Sequence, residues 1–434
     1  MPYPKRSFRM IAHMKVLGIT AEYNPFHNGH RYQMDAAKKL VCPDQTIIAM
    51  SGDFTQRGEP AVADKWDRSK WVVLCGADLV FELPFLYACN RAPWFAAGGV
   101  DLLVAAGATH ISFGCEAEDS GRLLRAAEEM RRHKDRLAEM AKDGMTGGVS
   151  YAKAYEAAVR KLVGEEAAEL IQKPNNILAI EYWKRILYWQ ERGHSVEAVP
   201  VQRMGSGYDD INLKQGFAGA TQIRKLIHAE GPAACDTLRQ LMPPEVYCHI
   251  EGYGLEAFCT SNRQALGRYF QILKSALVRS TKEELAEIYC IGEGIENRFL
   301  KEIATADDLD SLIGSIVSKR YTSAAVRRML VYIALGWKGS EADRLIENGQ
   351  GQSFCIPYLR VLAASAGGRE RIRTLRKGEE AVVVTNVNKV DMEEEIAREM
   401  LALDIRAADL YNTIFGRRLY DYSDRVKRPY IAVD

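Results

Sequence analysis

The chain has 434 residues, of which 47% are hydrophobic and 26% charged, a composition that can bury the cores of two or three soluble domains. Lysine plus arginine total 58 and aspartate plus glutamate 57, so the net charge of +1 excludes a uniformly basic or acidic protein, and any polyanionic partner has to meet a local patch. The nine cysteines are odd in number and form no CxxC pair, which favours reduced thiols over a disulfide framework or a structural zinc site.

The first thirteen residues carry three basic side chains but no apolar stretch of signal-peptide length. Met14 directly precedes the first strand-like run, so we expect residues 1–13 to be a disordered extension or a misassigned start. No later segment is apolar for long enough to span a bilayer. The sequence therefore predicts a cytoplasmic protein without membrane contact, and it shows no sign of an obligatory protein partner.

The first strand and helix enclose a turn with two histidines. The run Val16–Thr20 is apolar and rich in β-branched residues, as in a buried parallel strand, and apolar residues recur at helical spacing after the turn. Between them Asn24-Pro25 breaks the chain and His27-x-Gly29-His30 follows. A helix that begins here directs its free amide groups and its positive dipole end at the turn, which predicts a phosphate site. Two surface histidines are the alternative, which the turn and the intervening glycine disfavour.

Further strand-like runs are separated by helical patterns and cover residues 46–50, 77–83, 109–113 and 195–201. Strands that alternate with helices predict an α/β fold with a Rossmann-like, doubly wound parallel sheet, whose ligand lies at the carboxyl ends of the strands. Ser51-Gly52-Asp53, Gly114 and Arg203 follow such ends, as the histidine turn does. We therefore expect these loops to converge on one crevice.

The loop of residues 51–66 is polar, contains two glycines and enters a helix. Lys65 and Arg57 in this loop have two interpretations of equal weight. They line a phosphate or acyl pocket, or they form ion pairs with the carboxylates of the same loop.

Two later helix starts carry further candidates. Of Asn175 and Asn176, one amide is expected to cap the helix and the other to recognise an adenine edge or a ribose hydroxyl. Arg203 is expected to stack on a base or pair with phosphate, with a structural ion pair as the alternative. At the next small-residue helix start, the hydroxyl of Thr221 and the guanidinium of Arg224 predict a second phosphate contact.

The composition changes near residue 231, where prolines mark a boundary and helical periodicity follows. The predicted organisation is a nucleotide-binding catalytic domain over 14–230, a helical domain over 231–348 and a small mixed α/β unit over 349–434. Basic residues in the last two parts are candidate nucleic-acid contacts, although such patches are usually solvated faces. The first group is Lys319, Arg320, Arg327 and Arg328 beside Tyr321, with Arg320 and Arg327 expected two turns apart on one helical face. The second group is Arg417, Arg418, Arg425, Lys427 and Arg428 beside Tyr420.

Five segments together carry a family resemblance: AEYNPFHNGH at 21–30, SGDFTQRGEPAVADKW at 51–66, GADLVFELP at 76–84, PNN at 174–176 and GATQIR at 219–224. With them the chain resembles the tRNA(Met) cytidine acetate ligase family of the HIGH-motif nucleotidyltransferase superfamily, over most of residues 14–230. The resemblance implies a ligase that activates acetate with ATP as acetyl-adenylate, releasing pyrophosphate. The acetyl group then passes to the exocyclic amine of the wobble cytidine of elongator tRNA(Met), which becomes 4-acetylcytidine.

The resemblance also implies the residues of the site, with His27 and His30 as catalytic residues and magnesium arriving with the triphosphate, since no protein metal cage is visible. Gly219 stands where family members often have serine, which removes one hydroxyl from the phosphate contact. Reversing the charge of Arg327 and Arg328 is expected to lower tRNA acetylation and leave ATP–pyrophosphate exchange intact. The implied ATP contacts are Thr20, Ala21, Glu22, Tyr23, Asn24, Pro25, Phe26, His27, Asn28, Gly29, His30, Gln33, Gly114, one of Asn175 and Asn176, and Arg203.

Two other functions compete with this interpretation. One is a nucleotidyltransferase that adenylylates a phosphorylated small molecule, and the other is a noncatalytic RNA-binding protein. The long helical remainder favours a macromolecular substrate over the first, and the intact histidine pair disfavours the second. An aminoacyl-tRNA synthetase is less favoured, because no KMSKS-like segment is visible.

Overall fold

The computed structural model describes residues 14–145, 149–203, 216–229, 232–347, 356–378 and 381–432. The extension predicted for residues 1–13 and the domain boundary predicted at 349 lie outside the described residues. Within the described ranges, no helix is both long and apolar enough to cross a membrane.

In the described part of the chain, eight strands form one sheet in the order β5-β4-β1-β2-β3-β6-β7, with β8 paired to β6. Strands β1 to β5 run parallel, and β6 runs antiparallel to β3. The strands are β1 (Val16–Ala21), β2 (Gln45–Ser51), β3 (Leu79–Leu83), β4 (His110–Cys115), β5 (Glu197–Gln202), β6 (Tyr358–Ala364), β7 (Val382–Val384) and β8 (Tyr430–Ile431).

Helices cover both faces of the sheet, as apolar strands without polar alternation require. In the first half of the chain they are α1 (Asn28–Val41), α2 (Lys65–Leu74), α3 (Phe85–Ala88), α4 (Ala92–Ala105), α5 (Ser120–Arg132), α6 (Lys134–Asp143), α7 (Tyr151–Leu162), α8 (Glu165–Leu170), α9 (Pro174–Gln190) and α10 (Ala220–His228). Leu17 and Ile19 pack with α1 and α2 on one face, whereas Ile47 and Ala49 pack with α4 on the other. The predicted doubly wound α/β fold is confirmed.

The helical region is arranged around its longest helix, α13 (Leu255–Arg279), which contacts α10 and several other helices of the region. Its helices are α11 (Pro232–Leu241), α12 (Pro244–Gly252), α13 (Leu255–Arg279), α14 (Lys282–Ala286), α15 (Ile295–Glu302), α16 (Leu309–Ile316), α17 (Ser323–Leu335) and α18 (Gly339–Glu347). Helices α19 (Ala366–Lys377), α20 (Glu395–Ile414) and α21 (Leu419–Tyr422) follow. Helix α13 contacts α16, α17 and α20, so the helical region also packs against the last part of the chain.

The strands of the last segment correct one expectation. Residues 349–434 are predicted as a separate mixed unit, but β6 pairs with β3 in the register Leu79↔Ala364 and Glu82↔Arg360. The segment therefore extends the sheet of the amino-terminal half and does not form a sheet of its own. No local pattern indicates this, because pairing between residues nearly 300 positions apart depends on tertiary packing.

Candidate active site

The histidine turn joins β1 to α1 and is built by its own side chains. His27 is the N-cap of α1, with extended backbone, and its Nδ1 accepts a hydrogen bond from Gly29 N over 3.1 Å. The backbone N of His27 in turn lies 3.4 Å from Nδ1 of His30. The two imidazoles thus take the places that a hydroxyl and a carboxylate fill in an ordinary capping box. This arrangement fixes both rings at the amino end of the helix.

Both histidines are neutral. Burial, together with the nearby guanidinium groups of Arg203 and Arg224, lowers the pKa of His27 to about 3. Burial also holds the pKa of His30 well below its usual range, with His27 and Arg203 acting in the same direction. Desolvation and like charge both disfavour imidazolium here. Each ring therefore carries a single N–H at neutral pH.

One nitrogen of the pair is left for a ligand. Because Nδ1 of His27 accepts a hydrogen bond, the proton of this neutral ring belongs on Nε2. His27 is only 2% exposed, and its Nε2 has no hydrogen-bond partner among the described residues. A buried donor without a partner is costly in a folded protein, so the site is built to hold an acceptor such as a phosphate oxygen.

Three of the predicted ATP contacts meet beside the turn, on α1, on β4 and just after β5. A Cβ added to Gly114 would lie 3.3 Å from Cγ of Arg203 and 3.6 Å from Oε1 of Gln33. Thr20 Oγ1 is buried at the end of β1 and has no partner among the described residues. Its side chain lies against Gly99 of α4, where a Cβ would come within 2.5 Å of the hydroxyl. The loops after β4 and β5 thus meet beside the histidine turn, and their contact with ATP stays a prediction.

Other members of the turn serve its architecture. Phe26 is fully buried, and its ring lies 4.8 Å from that of Tyr23, which has a left-handed backbone with φ of 48°. Asn28 Nδ2 donates to the carbonyls of Gly216 and Gln240, each over 2.9 Å. The side chains of these three residues are occupied within the protein. Their part in ATP binding stays a prediction, as it does for Ala21 and Pro25.

The structure distinguishes the two adjacent asparagines. The N-cap of α9 is Lys173, without a side-chain cap, so the expectation that an asparagine caps this helix is wrong. Asn176 is buried, and its Oδ1 accepts from the backbone N of Glu116 and Ala117 over 2.9 and 3.2 Å. Asn175 Oδ1 instead accepts from Arg203 Nη1 over 3.3 Å. Asn175 Nδ2 also donates to Glu116 Oε1 over 2.6 Å, whereas the buried Nδ2 of Asn176 has no partner among the described residues. Which of the two amides contacts a nucleotide stays a prediction.

The predicted second phosphate contact lies against the histidine turn. Arg224 Nη1 donates to Asn24 O over 3.0 Å, and its Nη2 donates to Thr221 Oγ1 over 3.3 Å. Gly219 is the N-cap of α10 and makes no side-chain cap. The hydroxyl that serine would bring is thus absent from this helix start, and Thr221 is left to hold the arginine.

Lys65 does not line the predicted acetate or phosphate pocket. Its ammonium is fully buried and lies 2.6 Å from Asp424, 2.7 Å from Glu82 and 3.9 Å from Asp53. Arg360 pairs with Asp424 and Glu82 over 2.9 and 3.0 Å. Of the two interpretations, the ion pair is the one that the structure shows for Lys65, with partners mostly outside its own loop.

Arg57 remains a candidate for binding acetate or phosphate. Burial raises the pKa of Glu22, and the charges of Arg224 and Arg57 act in the opposite direction. Glu22 lies in the histidine turn, so Arg57 is close enough to the site to affect it electrostatically. Its role in binding acetate or phosphate stays a prediction.

Arg68 is a site residue that the sequence interpretation missed. Its buried guanidinium donates to the carbonyls of Glu22 and Ala63 over 2.6 and 2.9 Å, and also to those of Ser51 and Gly52. It thereby joins the end of β2 to the histidine turn. An arginine one turn inside the helix that follows a polar loop is the only local signal for it.

The candidate tRNA contacts of α17 are arranged differently from expectation. The helix begins at Ser323 with Thr322 as N-cap, so Arg320 precedes it and does not share a helical face with Arg327. Arg320 pairs with Glu293, and Lys319 lies in the same bend before the helix. Arg327 and Arg328 instead contact the loop after β2. Near the end of the chain, Arg417 pairs with Asp64 over 2.7 Å, and Tyr420 is 87% exposed.

No group of three or more histidine, cysteine, aspartate or glutamate side chains in the described ranges is placed to hold a metal ion. A doubly wound parallel sheet with a neutral histidine pair at the start of α1 defines a HIGH-type nucleotidyltransferase. The family model for HIGH Nucleotidyl Transferase matches residues 14–424.

Relatives and solved structures narrow the class. The tRNA(Met) cytidine acetate ligase of Caldicellulosiruptor saccharolyticus is 34% identical over 400 residues, covering 92% of this chain and 94% of that protein. The Bacillus subtilis enzyme of the same name is 33% identical over 403 residues, covering 92% of each. Thermotoga maritima TmcAL superposes with a TM-score of 0.83 as the apo form, at 27% identity, and 0.82 as the form bound with alpha-thio ATP, at 28%. Each alignment covers 96% of this chain and 99% of that structure. The chain belongs to the tRNA(Met) cytidine acetate ligase family, as the resemblance predicted, and is a ligase.

Proposed function

We propose that this protein uses ATP to activate acetate and attaches the acetyl group to the wobble cytidine of elongator tRNA(Met). The observation that carries the proposal is the neutral, stacked His27 and His30 pair, with the buried Nε2 of His27 open to a ligand at the start of α1. The names of the relatives support the tRNA and acetate parts, and the TmcAL structure with alpha-thio ATP supports the nucleotide.

In the first step an oxygen of acetate attacks the α-phosphorus of ATP, and the bond to pyrophosphate breaks, giving acetyl-adenylate. Acetate is a weak nucleophile, so the protein contributes alignment and stabilisation of charge on the phosphoryl oxygens. The amino end of α1 and the N–H of His27 are placed to supply this stabilisation, and Arg224 and Arg203 add positive potential. Magnesium enters with the triphosphate as part of the substrate.

In the second step the exocyclic amine of cytosine attacks the acetyl carbonyl, AMP leaves and the amine loses a proton. The lone pair of this amine is delocalised into the ring, which explains why a mixed anhydride is needed. A wobble base lies in an anticodon loop and can be turned outward at modest cost. A cysteine carrier is unnecessary, and burial raises the pKa of Cys89, for example, to about 12.

The test is to incubate the purified protein with ATP, labelled acetate and total tRNA, and to analyse nucleosides of the isolated tRNA(Met). We expect label in 4-acetylcytidine that depends on ATP, together with acetate-dependent ATP–pyrophosphate exchange in the absence of tRNA. A tRNA(Met) with uridine at the wobble position is the matched control and is expected to stay unlabelled. Acetate-independent adenylylation of a phosphorylated metabolite would favour the small-molecule nucleotidyltransferase, and RNA binding without turnover would favour the noncatalytic protein.

A further inference from the structure

The loop between β2 and α2 turns back at its tip against helix α17. Within residues 52–60, here called the bridging loop, Thr55 N donates to Glu59 O over 3.0 Å and Gly58 N donates to Thr55 O over 2.9 Å. Gly58 has a φ of 76°, and a Cβ there would lie 2.3 Å from the backbone N of Arg328. The tip therefore meets the α17 backbone at a distance that only glycine allows.

Two chains of contacts cross the bridging loop from the histidine turn to α17. The first is made through the backbone of the loop. Glu22 Oε1 accepts from Gln56 N over 2.8 Å, and Gln56 O accepts from Arg328 Nη1 over 3.0 Å. This chain fixes the distance between the turn and the helix.

The second chain is made through charges. Arg224 donates to Asn24 O, and its Nη2 lies 3.0 Å from Oε2 of Glu59. The other oxygen of Glu59 lies 3.6 Å from Nε of Arg327. One carboxylate is thus shared by two guanidinium groups, one from the phosphate contact and one from α17. The side chains of Glu59, Arg224 and Arg327 are 23%, 12% and 26% exposed, so their interaction is only partly screened by water.

We propose that Arg327 is a positioning residue for nucleotide binding, acting through Glu59 on Arg224. When Arg327 neutralises part of the Glu59 charge, Glu59 attracts Arg224 less strongly, and the positive potential of Arg224 stays directed at the triphosphate. When Arg327 is removed, Arg224 alone has to neutralise Glu59. This inference rests on the proposed function, because it takes ATP as the ligand of the turn.

The inference changes the expectation for α17. A helix that contacts only tRNA leaves ATP–pyrophosphate exchange intact when its arginines are altered. The shared carboxylate instead predicts that Arg327 affects exchange when no tRNA is present. Any tRNA phosphate that engages Arg327 would shift the same charge balance, so the two steps of the reaction become coupled through Glu59.

The experiment is a double-mutant cycle on acetate-dependent ATP–pyrophosphate exchange without tRNA, with Glu59→Gln, Arg327→Gln and the double variant. We expect Arg327→Gln to raise KM for ATP by about tenfold with little change in kcat, and Arg327→Lys to recover most of the loss. In the Glu59→Gln background, Arg327→Gln is expected to change KM by less than about twofold. Lys338→Gln, which breaks a surface pair with Glu287 just after the end of α17, is the control and should match the wild type.

An unchanged KM in Arg327→Gln, or the same increase in both backgrounds, would overturn the inference. Thermal unfolding of every variant shows that it is folded at the assay temperature. If the wild type shows no acetate-dependent exchange, the proposed function fails, and the same proteins are titrated with a nonhydrolysable ATP analogue. Equal affinities across the cycle would then reject the coupling on its own.

Discussion

His30 stacks on His27, with ring centroids 3.7 Å apart and ring planes inclined by 27°. Two imidazolium ions at this distance would repel each other in a site that water does not screen, so the contact requires that at least one ring is neutral. The lowered pKa of both rings makes the whole pair neutral. His27 can therefore donate a hydrogen bond from Nε2 to phosphate without the pH sensitivity of an ordinary histidine.

The acid stability of the protein should reveal this neutral pair. The pKa of His27 is about 3 in the folded chain, against about 6.5 when unfolded. Between these values the unfolded chain binds a proton that the folded chain excludes, so the free energy of unfolding falls as pH falls, by about 1.4 kcal/mol per pH unit for this group. His27→Gln should reduce the slope of unfolding free energy against pH by about this amount between pH ~6 and ~4.

Urea unfolding followed by tryptophan fluorescence at several pH values measures this slope. His133→Gln provides the comparison, because His133 lies at the surface beside Glu129. A slope that is equally steep in His27→Gln and in the wild type would show that His27 is not held neutral.

Replacing either histidine should abolish most of the first chemical step. His27→Gln removes the donor that is left for a phosphate oxygen, and His30→Gln removes the ring that stacks on His27 and accepts from its backbone N. In each variant we expect kcat for acetate-dependent ATP–pyrophosphate exchange to fall about a hundredfold. Exchange of labelled pyrophosphate into ATP without tRNA is the measurement. Full exchange activity in both variants, with the fold intact by circular dichroism, would remove the pair from the mechanism.

The parts of the molecule that could be predicted from sequence depend on short-range patterns. The strand, turn and helix around His27 and His30 are encoded within about thirty residues by apolar periodicity, a proline break and a glycine. The recognition of the family and of the α/β fold is confirmed for the same reason. The different contacts of Asn175 and Asn176 could not be predicted, because they depend on which side-chain oxygen accepts from the backbone of the loop after β4 and which accepts from Arg203.

Contacts between distant segments account for what the sequence could not show. Arg327 and Glu59 are 268 positions apart, and Lys65 and Asp424 are 359 apart, yet both pairs touch. A single sequence contains no periodic or spacing signal for such pairs. The sequence therefore leaves the basic residues of α17 as candidate tRNA contacts and cannot choose between the two interpretations of Lys65.

Two effects should make Gly58 intolerant of substitution, its positive φ and its close approach to α17. A second glycine that has positive φ but no close neighbour distinguishes them. Gly58→Ala places a side chain at positive φ and drives it into the α17 backbone, whereas Gly193, with φ of 85°, has open space around it. Positive φ alone costs about 1–2 kcal/mol, so we expect that loss in Gly193→Ala and a larger loss in Gly58→Ala. Chemical unfolding measures both, and equal losses would show that the loop tip does not press on α17.

Replacing Lys65 tests whether this residue forms a structural ion pair or lines a phosphate pocket. Its buried ammonium lies within 2.7 Å of two carboxylates, so Lys65→Met leaves Glu82 and Asp424 with Arg360 as their remaining cation. Removing one partner of a buried ion pair costs about 3–5 kcal/mol, and we expect the free energy of unfolding to fall by that amount. In Arg136→Gln, which breaks a surface pair with Glu139, the loss should stay below about 1 kcal/mol. The affinity for a nonhydrolysable ATP analogue, measured by calorimetry at low temperature where Lys65→Met is folded, should stay within about threefold of the wild type, or about 0.7 kcal/mol, because the Lys65 ammonium is engaged by Glu82 and Asp424. A stable Lys65→Met protein with lost ATP affinity would instead return Lys65 to the phosphate pocket.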